Sequence, residues 1–322
     1  MVFPVKKVLK TTLPLLLGGF LVWYSLSKIS ISTLVQYFKE ADYWFIAFGL
    51  FFGILSHLSR AYRWLFVLEP MGYKPKYANS VMAVLVGYLV NLAIPRAGEV
   101  SRAAVMTNYE KIPFEKGFGT IVAERIADLI MMFLVILIAF FIEFDFIYNL
   151  VFKNFDPLKM SITIAILATA ILVFYNFVKK AKSGFLLKIK TFFTGLIEGV
   201  TSIFRMKKKW AFLFHTVFIW IMYVLMFWAT IPAIEGLEVP IGGILIGFIA
   251  GGLSIAATNG GIGLYPIAVA SAFALFGVPE EPATAFGWIM WTTQTAMMII
   301  FGGLSFLFLP IYNRKQTLIP KE

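Results

Sequence analysis

The chain has no cysteine and only two histidines, His57 and His215, among its 322 residues. Without cysteine there are no disulfides, thiolate nucleophiles or cysteine-bound metals, and the redox compartment cannot be read. Two histidines 158 positions apart make no histidine metal centre. HExxH, GxSxG and Walker A motifs are missing as well. Ser254 has no histidine that the sequence brings to it, so no protease dyad is read, and neither are catalytic residues, a cofactor or a metal. Charge is scarce, at 14% of residues against about 25% in a soluble chain. Behind the apolar run Val8–Leu26, long enough to span a bilayer, there is no small-residue cleavage site, so no cleavable signal peptide is expected.

What is present is apolar: 60% of residues are hydrophobic and 17% aromatic, the composition of a polytopic membrane protein. Full spans are expected at Val8–Leu26, Tyr43–Val67, Phe118–Ile142, Leu158–Val178, Trp210–Thr230 and Thr284–Leu309. Two apolar stretches fall short of the ~20 residues a span needs, Ser80–Ile94 and Ile241–Ala257. The first ends at Pro95 and runs into the polar Arg96–Gly117. The second breaks at Thr258-Asn259-Gly260-Gly261-Ile262-Gly263-Leu264-Tyr265-Pro266 and resumes as Ile267–Phe276. Glu143–Pro157 reads as an acidic loop. Lys179–Lys209 carries nine basic residues against Glu198, and over 183–206 its apolar positions recur at helical spacing. That segment reads as a cytoplasmic amphipathic helix, either lying on an anionic lipid surface or packed under the bundle.

The net charge of +11 follows the membrane rather than nucleic acid. Placing basic segments on the cytoplasmic side puts both termini and 179–209 inside. Ser80–Gly117 must then leave and return on the cytoplasmic face, and Ile241–Pro279 on the opposite one. Both are expected to be re-entrant hairpins. Of 28 Lys and Arg, this topology puts 21 inside and four outside, and it embeds Arg96, Arg102 and Arg125 against Glu99, Glu124 and Asp128. Cancelling charges suit a low-dielectric site. Each half, about 1–145 and 158–310, then reads span, span, hairpin, span with opposite starting sides. Such inverted repeats are common in secondary transporters.

The candidate site follows from this topology. Arg96, Glu99 and Arg102 recur at i, i+3 and i+6 beside Asn91, and two arginines could clamp a phosphate by paired hydrogen bonds. A positive-inside hairpin end is the plainer reading, and it suits Arg102 better than Arg96. Glu124 and Asp128 share a helix face with Arg125 three residues from Asp128. They read as counter-ions to Arg96 and Arg102, a proton relay, or a structural ion pair. Asn259, Gly260, Gly261 and Gly263 read either as a flexible tight turn between two spans or as a site that frees backbone N–H groups where a half-helix beginning near Tyr265 would point its positive end, which favours an anion. His57 shares a stripe with Arg60 on the second span and reads as a lining group that titrates near neutral pH or, more plainly, as a hydrogen-bonded interior residue; Gln294 is a further lining candidate. Arg60 and Arg63 read as positive-inside anchors.

Asn91-Leu92-Ala93-Ile94-Pro95-Arg96-Ala97-Gly98-Glu99-Val100-Ser101-Arg102, Glu124-Arg125-Ile126-Ala127-Asp128 and Asn259-Gly260-Gly261-Ile262-Gly263 together resemble the membrane domain of lysylphosphatidylglycerol synthases. They also resemble the stand-alone, flippase-like proteins that share it. The resemblance covers nearly the whole chain. It implies a bundle with two re-entrant hairpins and, in the synthases, lipid translocation between leaflets; Arg96, Glu99, Arg102, Glu124, Arg125 and Asp128 match its polar cluster. The sequence stops at Glu322 just after the last span, so the aminoacyl-transferase domain of the synthases is expected to be absent and lysine transfer is not implied.

The sequence therefore predicts an all-α polytopic protein, six full transmembrane helices plus two opposed re-entrant hairpins, forming one integral domain of the cell (inner) membrane. The expected function is translocation of a phospholipid or polyprenyl-phosphate head group, with anionic or zwitterionic membrane lipids as partners and no nucleic acid. An ion- or proton-coupled carrier of a small solute and a non-transporting scaffold are the alternatives. Homo-oligomerisation stays open.

Overall fold

The computed structural model describes residues 18–94, 96–152, 206–258 and 260–314, with scattered helical positions between 161 and 187. The start of the first expected span, most of the fourth and nearly all of the amphipathic 183–206 segment lie outside the described residues, as do Pro95 and Asn259. The described elements are helical: α1 (residues 18–26), α2 (Ile31–Glu40), α3 (Tyr43–Leu68), α4 (Tyr77–Ala93), α5 (Gly98–Glu110), α6 (Phe114–Ile142), α7 (Phe144–Phe152), α8 (Lys209–Thr230), α9 (Ile241–Ala257), α10 (Leu264–Ala274) and α11 (Glu280–Tyr312). Four helical stretches are long and apolar enough to cross a membrane: Tyr43–Met71, Phe114–Ile142, Lys209–Ala233 and Glu280–Tyr312. With the shorter apolar helices α4, α9 and α10, they make an all-helical, multi-pass membrane protein.

Two compact units make up the chain. One is Met1–Glu124 with Trp210–Glu322, and the other is Arg125–Lys209, which holds the later part of α6 and α7. Helix boundaries depart from expectation where local capping outweighs loop-like composition. The polar stretch after α1 contains α2, because the Ser30 hydroxyl accepts a hydrogen bond from the Thr33 amide at 3.1 Å. Asp42 caps α3 by accepting from the Trp44 amide at 2.8 Å. The expected acidic loop opens instead with a helix, α7, over Phe144–Phe152. At one rim, the turn before α2 is tied to α11 by a Lys28–Glu280 ion pair of 3.2 Å, and α2 itself by the Tyr37 hydroxyl donating to Glu281 at 3.4 Å. The Glu280 hydrogen bond and charge hold the Lys28 ammonium above its ordinary pKa.

Each short apolar helix folds back as an antiparallel hairpin, and glycine makes the approach close. In the α4–α5 hairpin, a Cβ on Gly98 would collide with the Gly87 carbonyl and the Asn91 side chain. The legs therefore touch backbone to backbone. Asn91 uses that proximity, accepting from the Gly98 amide at 2.7 Å and so capping the N-terminus of α5 from the other leg. In the α9–α10 hairpin, Gly247 lies under the Phe273 ring and Gly251 under Tyr265. The two tips meet: Leu92 lies 3.5 Å from where a Gly260 side chain would begin.

Two apolar cores hold these hairpins in the first unit. Phe227, Phe273 and Phe286 stack and cross at 5.1–6.0 Å between α8, α10 and α11. Trp64, Val84, Met106 and Ile121 join α3, α4, α5 and α6. Helix α11 runs against α4 at Gly302, where an added Cβ would lie 2.7 Å from the Leu89 Cβ and 2.8 Å from the Leu85 carbonyl, whereas at the adjacent Gly303 it would meet nothing within 4 Å. Gly302→Ala is expected to cost about 1–3 kcal/mol of overpacking, seen as earlier thermal unfolding in detergent, while Gly303→Ala should not destabilise. Equal behaviour of the two variants would rule out this helix contact.

Candidate site: a carboxylate shared by two buried arginines

Two of the arginines expected at the membrane surface lie inside the bundle. Arg63 on α3 is wholly buried and Arg60 nearly so, at 0% and 3% exposure. Arg102 on α5 and Glu124 on α6 are buried with them. Glu124 takes one arginine on each oxygen: Arg63 Nε at 3.4 Å from Oε1, and Arg102 Nη2 at 2.9 Å from Oε2. A lone buried charge is strongly disfavoured, and this arrangement neutralises the carboxylate twice over.

Aromatic faces and hydroxyls complete both guanidinium environments. Arg102 stacks over the Trp64 ring at 4.3 Å, and the Trp64 indole N–H donates to the Thr120 hydroxyl at 2.8 Å. Arg63 faces Phe212 at 5.3 Å and donates to the Thr216 hydroxyl at 3.0 Å. Cation–π contacts of desolvated groups contribute up to about 2 kcal/mol, which offsets part of the burial cost. Four helices, α3, α5, α6 and α8, thus converge on one ion triad in the first unit.

The same stripe of α3 continues one turn at a time, through Arg60 to His57, along α8. These helices run antiparallel: Gly49 abuts Thr230, Gly53 abuts Met226, and the Ser59 hydroxyl bonds His215 Nδ1 at 2.8 Å. Arg60 Nη2 donates to the Tyr223 hydroxyl at 3.2 Å. His57 lies against Tyr88 of α4, with ring centroids 4.7 Å apart. The i, i+3 spacing of His57, Arg60 and Arg63, flanked by Ser56 and Ser59, is the sequence signal for a polar interior face. A general rule for basic residues at helix ends hid it.

The remaining candidates separate. Arg102 and Glu124 are brought together. Arg125 lies 3.9 Å from Asp128 in the second unit, as their spacing predicts. Arg96 is exposed at the α4–α5 tip, and its backbone is left-handed at φ 62°. Glu99 is half-buried in the first turn of α5, and Asn91 serves the turn itself. Arg96, Arg102 and Arg125 were the arginines expected to be embedded; among the described residues the arginines buried in the bundle are Arg60, Arg63 and Arg102, because the α3 stripe faces inward.

At the second tip Gly260, Gly261 and Gly263 all have positive φ, between 67° and 82°. Gly260 also gives its carbonyl to the Trp291 indole N–H at 2.8 Å. Gly263 packs on the α1 backbone, where a Cβ would fall 2.5 Å from the Val22 nitrogen. Gln294 on α11 is half-buried beside the Tyr265 hydroxyl. Among the described residues, no group of three or more His, Asp or Glu side chains is placed to share a metal ion.

The triad predicts an asymmetric response to mutation. Glu124→Leu leaves two buried cations without their shared anion and is expected to cost about 3–5 kcal/mol, read as poor folding yield and early thermal unfolding. A Glu124→Leu chain as stable as the parent would contradict the triad.

Comparison with known proteins agrees with this architecture. A family model described as the lysylphosphatidylglycerol synthase TM region matches residues 12–302. The chain is similar to a UPF0104 membrane protein of Methanocaldococcus jannaschii, at 24% identity over 190 residues, which is 58% of this chain and 54% of that protein. It is also similar to glycosyltransferase AglD of Haloferax volcanii, at 29% identity over 103 residues, 32% of this chain and 16% of that protein. The matches thus span about half the length of the first relative and a small part of the second. No solved structure matches. A match over residues 12–302, carrying both hairpins and the buried triad, places the chain in the lysylphosphatidylglycerol synthase transmembrane-region family.

Proposed function

We propose that the chain is a lipid translocase, carrying the head group of a phospholipid or polyprenyl phosphate across the bilayer while the tails stay in lipid. The observation that carries this reading is the Arg63–Glu124–Arg102 triad, buried where four apolar helices meet. Ionisable groups inside a membrane bundle are costly, and their usual role is to line a substrate path. Family membership supports the same reading. So do two hairpins whose tips touch, since broken helices meeting near the midplane are a transporter device. A shallow apolar groove of about 530 Å³ along α9 and α10, lined by Ala250, Leu253, Ala257, Leu264 and Ala268, offers a lipid chain a smooth flank.

On this reading the hairpins are re-entrant from opposite faces, the halves 1–145 and 158–310 form an inverted repeat, and both termini are cytoplasmic. Anionic or zwitterionic lipids are the partners. The chain acts as a transporter rather than an enzyme. Arg96, exposed at the first tip, sits where a head group would enter beside the second tip. Arg102 and Arg63 would supply positive charge deeper in the path, with Glu124 holding their geometry.

Replacing a whole buried ion network by apolar residues is often neutral for stability, which separates function from folding. The Arg63→Met, Arg102→Met, Glu124→Leu triple variant is expected to fold about as well as the parent. Its rate of moving a fluorescent phosphatidylglycerol between leaflets of proteoliposomes should fall at least about tenfold, since losing charge-assisted contacts costs more than one factor of ten. A well-folded triple variant that moves lipid at the parent rate would sink the proposal.

A further inference from the structure

The returning legs of the two hairpins turn different faces outward. In α10 the exposed and half-buried positions are Leu264, Ile267, Ala268, Ala274 and Leu275, with Ser271 the one hydroxyl among them. Lipid accepts such a face. In α5 the buried positions are Gly98, Arg102, Ala103, Val105 and Met106. The other side is polar: Arg96 just before the helix, Asn108, and Lys111 just after it are exposed, as is Val100, with Glu99 and Thr107 half-buried between them.

Contacts of the hairpin show how deep this polar face reaches. At the base, Glu110 accepts from the Lys76 amide at 3.0 Å, and Asn79 exchanges hydrogen bonds with Asn313 at the end of α11. At the tip, Leu92 adjoins Gly260, whose carbonyl is held by the Trp291 indole, and one turn below it Leu89 packs on Gly302. Trp291 is 11 residues from Glu280 and Gly302 is 10 from Tyr312, so the tip is level with the middle third of α11, about 15 Å from either end at about 1.5 Å per residue. An arginine at that depth cannot reach the membrane surface by extending its side chain, as one near a helix end does. Non-helical backbone at membrane depth is likewise tolerated only inside protein or beside water, and Arg96 combines an exposed side chain with a left-handed φ of 62°.

We propose that the outward face of α5 lines a water-filled track running from the base of the first hairpin to its tip. This rests on the re-entrant placement given above, and it gives a lipid head group its route to the tips. Head group and tails then use different hairpins, since the apolar groove lies on α9 and α10.

The chain has no cysteine, so single cysteines report on this face without background. Val100→Cys, Ala104→Cys and Asn108→Cys are each reconstituted in liposomes. A charged, membrane-impermeant methanethiosulfonate reagent is supplied on both sides, so that contact with water is read and sidedness is not. Ile300→Cys, on an exposed apolar position in the middle third of α11, is the lipid-facing control. A thiol in apolar surroundings stays protonated and unreactive, so Val100→Cys and Ala104→Cys should react at least about tenfold faster than Ile300→Cys. Asn108→Cys, nearer the base, should react at least as fast as either. All four positions are exposed or half-buried, and thermal unfolding checks that the variants fold; if one does not, the others on α5 decide. Rates on α5 no higher than at Ile300 overturn the track and show that lipid tails or a second copy of the chain cover this face. Labelling needs no lipid movement, so that outcome is independent of the transport assay that tests the translocase reading.

Discussion

The interior depends on one carboxylate. Glu124, on α6, accepts from arginines that arrive on two different helices, α3 and α5. In a bundle whose outer surface faces lipid, apolar contacts between helices gain little that lipid does not also provide. Close packing and buried polar contacts must then specify the arrangement. The triad does this for α3, α5 and α6, and the Thr216 hydroxyl brings in α8.

Glycine supplies the other half of that specification. Gly87 against Gly98, Gly251 under Tyr265, and Gly302 against Leu85 and Leu89 are places where backbones approach too closely for a side chain. Three further glycines at the second tip, Gly260, Gly261 and Gly263, take the positive φ that the turn into α10 requires. Hairpin legs of 17 and 13 residues in one case and 17 and 11 in the other are thus held by proximity rather than by length. A polar knot secures the far end of α4. Asn79 and Asn313 exchange hydrogen bonds at 2.8 and 2.9 Å while both are buried.

Much of the fold was legible from the sequence because hydrophobic length and breaks are local properties. The termini of α3, α8 and α9 fall within two residues of the apolar runs that announce them. Pro95 and the Asn259–Gly263 run mark the hairpin tips in the same local way. The pairing of Arg102 with Glu124 was also within reach, since both charges interrupt otherwise apolar stretches. Arg60 and Arg63 were not. Near the end of a span, a basic residue that snorkels to the surface and one that turns inward have the same neighbours in sequence. Only the rotation of α3 against α8 distinguishes them.

By itself, then, the sequence determined the membrane class, the long apolar helices, the two interruptions and a short inventory of intramembrane charges. Hydropathy and glycine or proline placement act within a few residues, so one chain suffices to read them. Tertiary structure alone decided which arginines share Glu124, and that Arg96 stays exposed at the first tip. The physical reason is that a buried ion's partner is set by which helix faces meet. Here those faces belong to residues up to 163 positions apart, as Arg60 and Tyr223 are.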